Sequence, residues 1–387
     1  MAEVLIYSAD EIEIDARFPG GNIVVERIDG NNVFLSQDLR DTEGRWFYWY
    51  FRVVGAAGRT LRFHFTDGNV IGARGPAVST DGGRTWSWLG TELVDGASFS
   101  FAFPAGGDDV RFSVGIPYTE ENLEAFLAKY RDRPHLERSS LCRSEQGRSV
   151  EKLRLGRLDG DAPHRVLLTC RHHACEAMAS FVLEGMMSAV LDDSEDARWF
   201  RRNTEGWVIP FVDKDGVENG DQGKNRTPRD HNRDYSGESI YASVRALREA
   251  VPAWSGGRLR VAIDLHCPAL KGPGNQYVYL VGSHDPGIWE EQVRFSAILE
   301  KVRVGPLPYD ARDNMPFGTG WNTANNTAKG NSFAQWAAGL PGISLVTTVE
   351  VPYADARGAE VTAESARLLG RDLMRALRLY LASLERI

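Results

Sequence analysis

Five short apolar runs in the C-terminal two-thirds of the chain restrict its fold more than any other feature. They are RVLLT (165–169), GWVIPFV (206–212), RVAIDLH (260–266), QYVYLVG (276–282) and ISLVTTVEV (343–351). Each is strand length, and most are continuous rather than alternating, as strands buried on both faces are. Helical patterns lie between several of them, and a long one runs over about 362–385. Strands alternating with helices predict an α/β domain whose mixed, largely parallel sheet is covered on both faces.

The first 116 residues read differently. GRWFYWYFRVV (44–54), TLRFHFTDG (60–68), ASFSFAF (97–103) and DVRFSVGI (109–116) are aromatic or β-branched and punctuated by Gly, Asp and Asn. Short strands at this spacing predict an antiparallel β-sandwich. The aromatic run 46–51 is read as one strand whose outward rings are covered by the next domain. At 117 the texture changes. Leu123, Phe126, Leu127 and Tyr130 fall on one helical face behind Thr119 as N-cap. The expected division is 1–116 for the sandwich and 117–387 for the α/β domain. The stretch 213–237 reads as a long polar loop, a type that is usually functional or disordered.

Net charge is −8 over 387 residues, which argues against nucleic acid, since binding phosphate needs a basic face. No run of 18 or more apolar residues exists, so no membrane span is expected. Residues 1–15 lack a basic stretch followed by an apolar one, so no signal peptide is expected either. Cys142, Cys170, Cys175 and Cys267 show no CxxC spacing and read as reduced packing thiols in a cytoplasm.

Ligands of open α/β sheets bind beyond the carboxyl ends of the strands. Polar groups follow four of the runs: His172, His173 and Glu176 after the first, Asp230, Asn232 and Arg233 after the second, His266 ending the third, and Glu350 in the last. Two imidazoles and a carboxylate make a catalytic Zn²⁺ site with one position left open. On a helix, His172 (i,i+4) and His173 (i,i+3) could each meet Glu176, so spacing alone leaves both open. Glu350 sits among apolar β-branched residues, where an unpaired charge is costly. It must pair with a buried arginine or serve beside a metal as a general base.

These residues resemble the M14 zinc metallocarboxypeptidases, in the pattern His173-Ala-Cys-Glu176, then Asn232-Arg233 in DHNRDY, then His266, then Glu350. RWFYWYFRV and DVRFSVGIPYTEENLEAFL further resemble the cytosolic carboxypeptidases, the group with an N-terminal β-sandwich that contains tubulin deglutamylases and bacterial relatives. The resemblance implies a carboxypeptidase-type α/β/α domain. It implies that His173, Glu176 and His266 hold one Zn²⁺, that Glu350 is the base, and that Asn232 and Arg233 grip a substrate's C-terminal carboxylate. Asp230 is expected on the outer nitrogen of His173. Arg226 is the expected oxyanion residue, with Lys224 and Arg229 as alternatives. The family's closing tyrosine has no counterpart between 311 and 349, a gap flanked by Tyr309 and Tyr353 with Trp321 inside it, and that role is not assigned. Lys329 is expected to contact an acidic side chain or the substrate backbone.

The implied activity is release of C-terminal amino acids from peptides or protein tails, with Glu as the candidate preference. The sandwich is expected to narrow access, so that deleting it broadens the substrate range. Two alternatives are a zinc deacylase of N-acyl amino acids, like the aspartoacylases and succinylglutamate desuccinylases, and a non-catalytic peptide-binding protein on the same fold.

Overall fold

The computed structural model describes residues 7–9, 12–106 and 109–384. The expected sandwich is present as two sheets. One orders Tyr7–Ala9, Ile12–Asp15, Tyr50–Val54, Val110–Ser113, Ala77–Ser79 and Ser87–Trp88; the other orders Val24–Asp29, Asn32–Ser36, Thr60–Phe65, Ser98–Ala102 and Val94–Asp95. Alternation sends Phe51 and Phe112 of one sheet against Phe63 and Phe99 of the other, with ring centroids 4.8–5.6 Å apart. Such buried ring pairs add to area burial. One pairing departs from the antiparallel expectation: Asn32–Ser36 runs parallel to Thr60–Phe65. Between them the chain crosses to the opposite sheet as Tyr50–Val54 and returns, reversing direction twice.

Helix Glu120–Leu127 follows, with Thr119 as N-cap and Leu123, Phe126 and Leu127 buried, as the periodicity predicts. The larger sheet has seven strands in the order Leu136–Arg143, Ser149–Gly156, Thr204–Ile209, His164–Cys170, Leu259–His266, Leu345–Glu350, Tyr279–Val281. The four strands from Thr204–Ile209 to Leu345–Glu350 are mutually parallel, while the flanking hairpin and the last edge strand are antiparallel. Helices Met178–Leu191 and Ala363–Leu384 pack on one face; Ala242–Ser255 and Phe333–Ala337 pack on the other. Position 385, included in the expected closing helix, lies outside the described residues. At the crossing of the first pair, a Cβ on Gly185 would come within 1.9 Å of the Arg367 carbonyl and one on Gly370 within 2.1 Å of the Val182 carbonyl. Only glycine lets those backbones approach so closely.

The stretch 213–237 is not structureless. Asp213 accepts a hydrogen bond from the Gly216 amide (2.9 Å) and starts a short helix, Lys214–Asn219. The segment then runs along the sandwich. Asn22 donates to the Gly220 carbonyl (2.7 Å), and Thr42 donates to the Lys224 carbonyl (2.9 Å). Gln222, fully buried, accepts from the Tyr48 amide (2.7 Å) and donates to the Tyr48 carbonyl (2.8 Å). Its carboxamide thus stands where a strand neighbour would, so the strand expected from residue 44 begins only at Tyr50. One hydrophobic cluster runs through the sandwich and one face of the large sheet.

Candidate metal centre and its cleft

The strand His164–Cys170 ends in a sharp turn. Arg171 takes a left-handed conformation (φ 60°), which costs a non-glycine residue roughly 1–3 kcal/mol. Its buried guanidinium offsets that cost. It donates to the Tyr118 carbonyl (2.9 Å), to Ser180 Oγ (3.1 Å) and, through Nε, to the Ala174 carbonyl (3.1 Å). His173 and Glu176 therefore lie in a turn closed by a Glu176 amide to His173 carbonyl bond of 3.3 Å. The helix itself begins only at Met178. The turn, rather than a helical face, brings i and i+3 together.

That geometry separates the two histidines. His173 Nδ1 lies 3.0 Å from Glu176 Oε1 and 3.1 Å from His266 Nδ1, and His266 Nδ1 lies 2.7 Å from Glu176 Oε2. His172 points away, with Nδ1 on Asp264 (2.8 Å) and Nε2 on the Tyr235 hydroxyl (2.8 Å). Asp264 also takes His266 Nε2 at 2.6 Å, while Asp230 Oδ1 stands 3.6 Å from His173 Nε2. Asp264 fixes the outer nitrogen of His266 as the protonated one, Asp230 stands at ion-pair distance behind His173, and both rings turn Nδ1 inward. Two imidazole nitrogens and a carboxylate then share one buried point, and this donor set fits a divalent cation of the zinc type.

The electrostatics agree. Burial works to lower the His266 imidazole, yet Asp264 and Glu176 push it well above its usual range. Burial also works to raise the Glu176 carboxyl, yet Lys224, His173 and His266 hold it well below the carboxylate range. The centre is built to hold positive charge. Glu350, paired across the strands with His266, is buried, and its Oε2 has no hydrogen-bond partner. Burial pushes its carboxyl up to about 7; Glu176 adds to the rise, and His266 and Lys224 oppose it.

His173, His266 and Glu350 line a cleft of about 300 Å³, with Glu176 buried behind them. Asn232 and Arg233 lie in its wall, on the single turn His231–Arg233. Arg233 donates to the Asn326 carbonyl (2.8 Å), Asn326 Oδ1 (3.0 Å) and the Asn232 carbonyl (2.7 Å). All three partners are neutral, and among the described residues no carboxylate lies within ion-pair distance of it. Asn232 Nδ2 lies 3.3 Å from His266 Nε2, whose hydrogen Asp264 accepts, and its carboxamide oxygen accepts from the Phe333 amide (2.9 Å).

Two expected cations lie elsewhere. Arg226 is buried outside the cleft lining, with Asp41 at 2.9 Å, Asp213 at 2.7 Å and Asp221 at 2.8 Å. Three carboxylates stand within ion-pair distance of its guanidinium, with Asp221 accepting from Nη2, so Arg226 does not face a reacting carbonyl in the cleft as expected. Arg229 is likewise held by Asp234 (2.6 Å). Lys224 does line the cleft, with Nζ 2.9 Å from Glu176 Oε1 and 5.5 Å from the Trp46 ring. Lys329 is mostly exposed, pairs with Glu43 at 3.4 Å and is not part of the lining. The expected contact with an acidic substrate side chain therefore has no support in its position.

Sequence reasoning missed Asp264, Arg171, Gln222 and Trp46. Asp264 carried the same signal as Glu350, a charge inside an apolar run (AIDLH). Trp46 was assigned to domain packing, and its indole does donate to Cys175 Sγ (3.4 Å); it also lines the cleft. Cys175 and Cys267 are buried thiols outside the trio. The gap at 311–349 places Phe317 and Trp321, both about two-fifths exposed, in the cleft lining. Among the described residues no helix is long and apolar enough to cross a membrane.

No family model matches the chain. It is similar to an uncharacterised protein of Zymomonas mobilis, 26% identical over 61% of this chain and 62% of that protein. It is also similar to mouse cytosolic carboxypeptidase 3, 26% identical over 53% of this chain and 22% of the relative. The chain thus spans less than two-thirds of these relatives. A metallo-carboxypeptidase crystal structure from Burkholderia cenocepacia superposes with a TM-score of 0.78 at 21% identity, covering 96% of this chain and 99% of that one. The likeness establishes the fold.

Proposed function

We propose that this chain, related in sequence to the cytosolic carboxypeptidases and sharing the metallocarboxypeptidase fold, is a zinc-dependent carboxypeptidase. It removes the C-terminal residue from peptides or protein tails in the cytoplasm. The observation that carries the reading is the meeting, in one cleft, of an inward-facing His173–Glu176–His266 trio, an unpartnered buried carboxylate and a cation without a carboxylate.

His173, Glu176 and His266 hold the metal; when bound, Zn²⁺ polarises a carbonyl and lowers the pKa of water to about 7. Arg233 offers its charge to the substrate's terminal carboxylate, for which a guanidinium fork is suited, and Asn232 stands beside it. This places the last peptide bond near Glu350. Glu350, poised near neutrality by burial, takes a proton from the attacking water and delivers it to the leaving amine, as a base with a pKa near the working pH does best. Lys224 supplies the positive charge for the carbonyl oxygen as it becomes negative, the role expected of Arg226. A preorganised donor of this kind contributes about 10²–10³ in rate. Asp230 and Asp264 hold the imidazoles in orientation.

The test is a digest of peptides with free C-termini, alongside N-acetylaspartate and N-succinylglutamate, read by mass spectrometry with and without chelator. Stepwise loss of C-terminal residues, abolished by chelator and restored by Zn²⁺, is expected. Turnover of the N-acyl amino acids alone would replace this reading with a deacylase. Binding of peptides by zinc-loaded protein without any turnover would replace it with a binding protein.

A further inference from the structure

Resting on the carboxypeptidase reading, we infer that the C-terminal residue this enzyme removes carries an uncharged side chain. The deglutamylase likeness pointed to Glu.

Residues 346, 348 and 350 alternate onto one face of the strand Leu345–Glu350, and all three line the cleft. The cleft therefore continues from Glu350 down the sheet to Val346, a run of four residues or about 13 Å. The walls beyond Thr348 come from three other elements. Val281 ends the edge strand, Gly282 follows it, and Gln292 lies on the helix Pro286–Val302. Ala334 comes from the helix Phe333–Ala337 on the other side.

None of these residues is charged. The polar group that could adapt to a charge, the Gln292 carboxamide, is already committed. It donates to the Val281 carbonyl (2.9 Å) and the Val346 carbonyl (2.7 Å), and it accepts from the Ser283 amide (2.8 Å). The cations of the cleft lining are Lys224 and Arg233. Lys224 is beside Glu176 and Arg233 is at the Asn232 turn, and both have roles at the scissile bond or the terminal carboxylate. His284, the remaining imidazole of the lining, is exposed at the mouth.

A substrate whose terminal carboxylate sits at Arg233 and whose last peptide bond sits at Glu350 has one place for its final side chain, the recess toward Val346. A Glu carboxylate or Lys ammonium there would lose water and gain no partner, which is costly. Leu, Met or Gln meets methyl groups, a threonine hydroxyl and a satisfied amide. Thr348, at mid-depth, and Gln292, which closes the recess, are the specificity-determining residues.

The experiment is a competition digest of five equimolar peptides with a common body, ending in Leu, Met, Gln, Glu or Lys, with zinc-loaded enzyme and mass spectrometry. Leu, Met and Gln should be released at least 100-fold faster than Glu and Lys. Binding of the same peptides to zinc-loaded Glu350→Gln, by calorimetry, should rank the same way. Thr348→Lys, or Ser283→Lys should the first not fold, should raise the Glu-to-Leu ratio at least tenfold. Glu released as fast as Leu, or a ratio unmoved in a folded variant, overturns the inference and leaves the carboxypeptidase reading standing. The uncharged ranking in binding without release of any residue overturns the carboxypeptidase reading and keeps the specificity of the recess. Neither release nor ranked binding overturns both.

Discussion

Replacing Arg226 by Gln tests whether this cation stabilises the fold or the reaction. Its side chain is 6% exposed and faces Asp213 (1% exposed), Asp221 (12%) and the half-exposed Asp41. Removing one partner of a buried ion pair costs about 3–5 kcal/mol, while Asp41 adds at most about 1 kcal/mol. With an unfolding entropy of about 2.1 cal/mol/K per residue over 387 residues, a loss of that size lowers Tm by about 4–6 °C. The sign of the pH effect follows from Asp221. Burial already pushes it up to about 6 even with Arg226 in place; without the guanidinium it rises further, and Asp213, which Arg226 helps hold below the carboxylate range against burial, rises too. A folded pKa above the unfolded value gives stability that is complete at low pH and lost as pH rises through the folded value. Arg226→Gln should therefore melt further below the parent at pH 8 than at pH 6, by differential scanning calorimetry. Zinc-loaded Lys224→Met should behave in the opposite way, with kcat down about 10²–10³ and Tm nearly unchanged. An Arg226→Gln protein with the parental Tm and a hundredfold loss of kcat at unchanged KM would refute the reasoning and return the oxyanion role to Arg226.

Other outcomes follow from the same geometry. Glu350→Gln should lower kcat by about 10²–10⁴ while zinc content, measured by atomic emission, stays at one per chain; loss of the metal would make Glu350 a ligand rather than a base. His231, stacked on Tyr241 at 3.6 Å, is pushed down to about 4, with burial the largest cause. Its folded pKa lies below the unfolded value of about 6.5, so its share of stability is complete above pH 6.5 and lost as pH falls toward 4. Tm should drop across that window in the parent, and His231→Gln should flatten the drop. Gln222→Ala, which leaves the buried Tyr48 amide and carbonyl without side-chain partners, should cost about 2–4 kcal/mol and loosen the Lys224 segment. Deleting residues 1–115 should for the same reason abolish peptide release rather than broaden the substrate range; a folded, active remnant would show that the sandwich only restricts access.

Much of the molecule was readable along the chain because the signals are local. Continuous apolar runs separated by helical periods predict buried parallel strands, and the four central strands are of that kind. Polar residues at the ends of such runs predict where a site opens, since strand direction decides which edge they share. Glu350 stood out because an acid among valines and threonines needs a reason to be there, and Asp264 offered the same clue. Spacing, however, left both His172 and His173 open as partners of Glu176, whereas Arg171 in a left-handed conformation makes a turn and sends the two histidines opposite ways.

What the chain alone settled was therefore the set of chemical groups and the sheet edge they would occupy. Which of them face one another was settled only by tertiary structure. Arg226 and Lys224 are two residues apart and both cationic. What separates their surroundings is the arrival of Asp41 from the sandwich, with Asp213 and Asp221, around one, and of Glu176 and Trp46 beside the other. The work available from a charge depends on its burial and its partners, and those come from distant parts of the sequence.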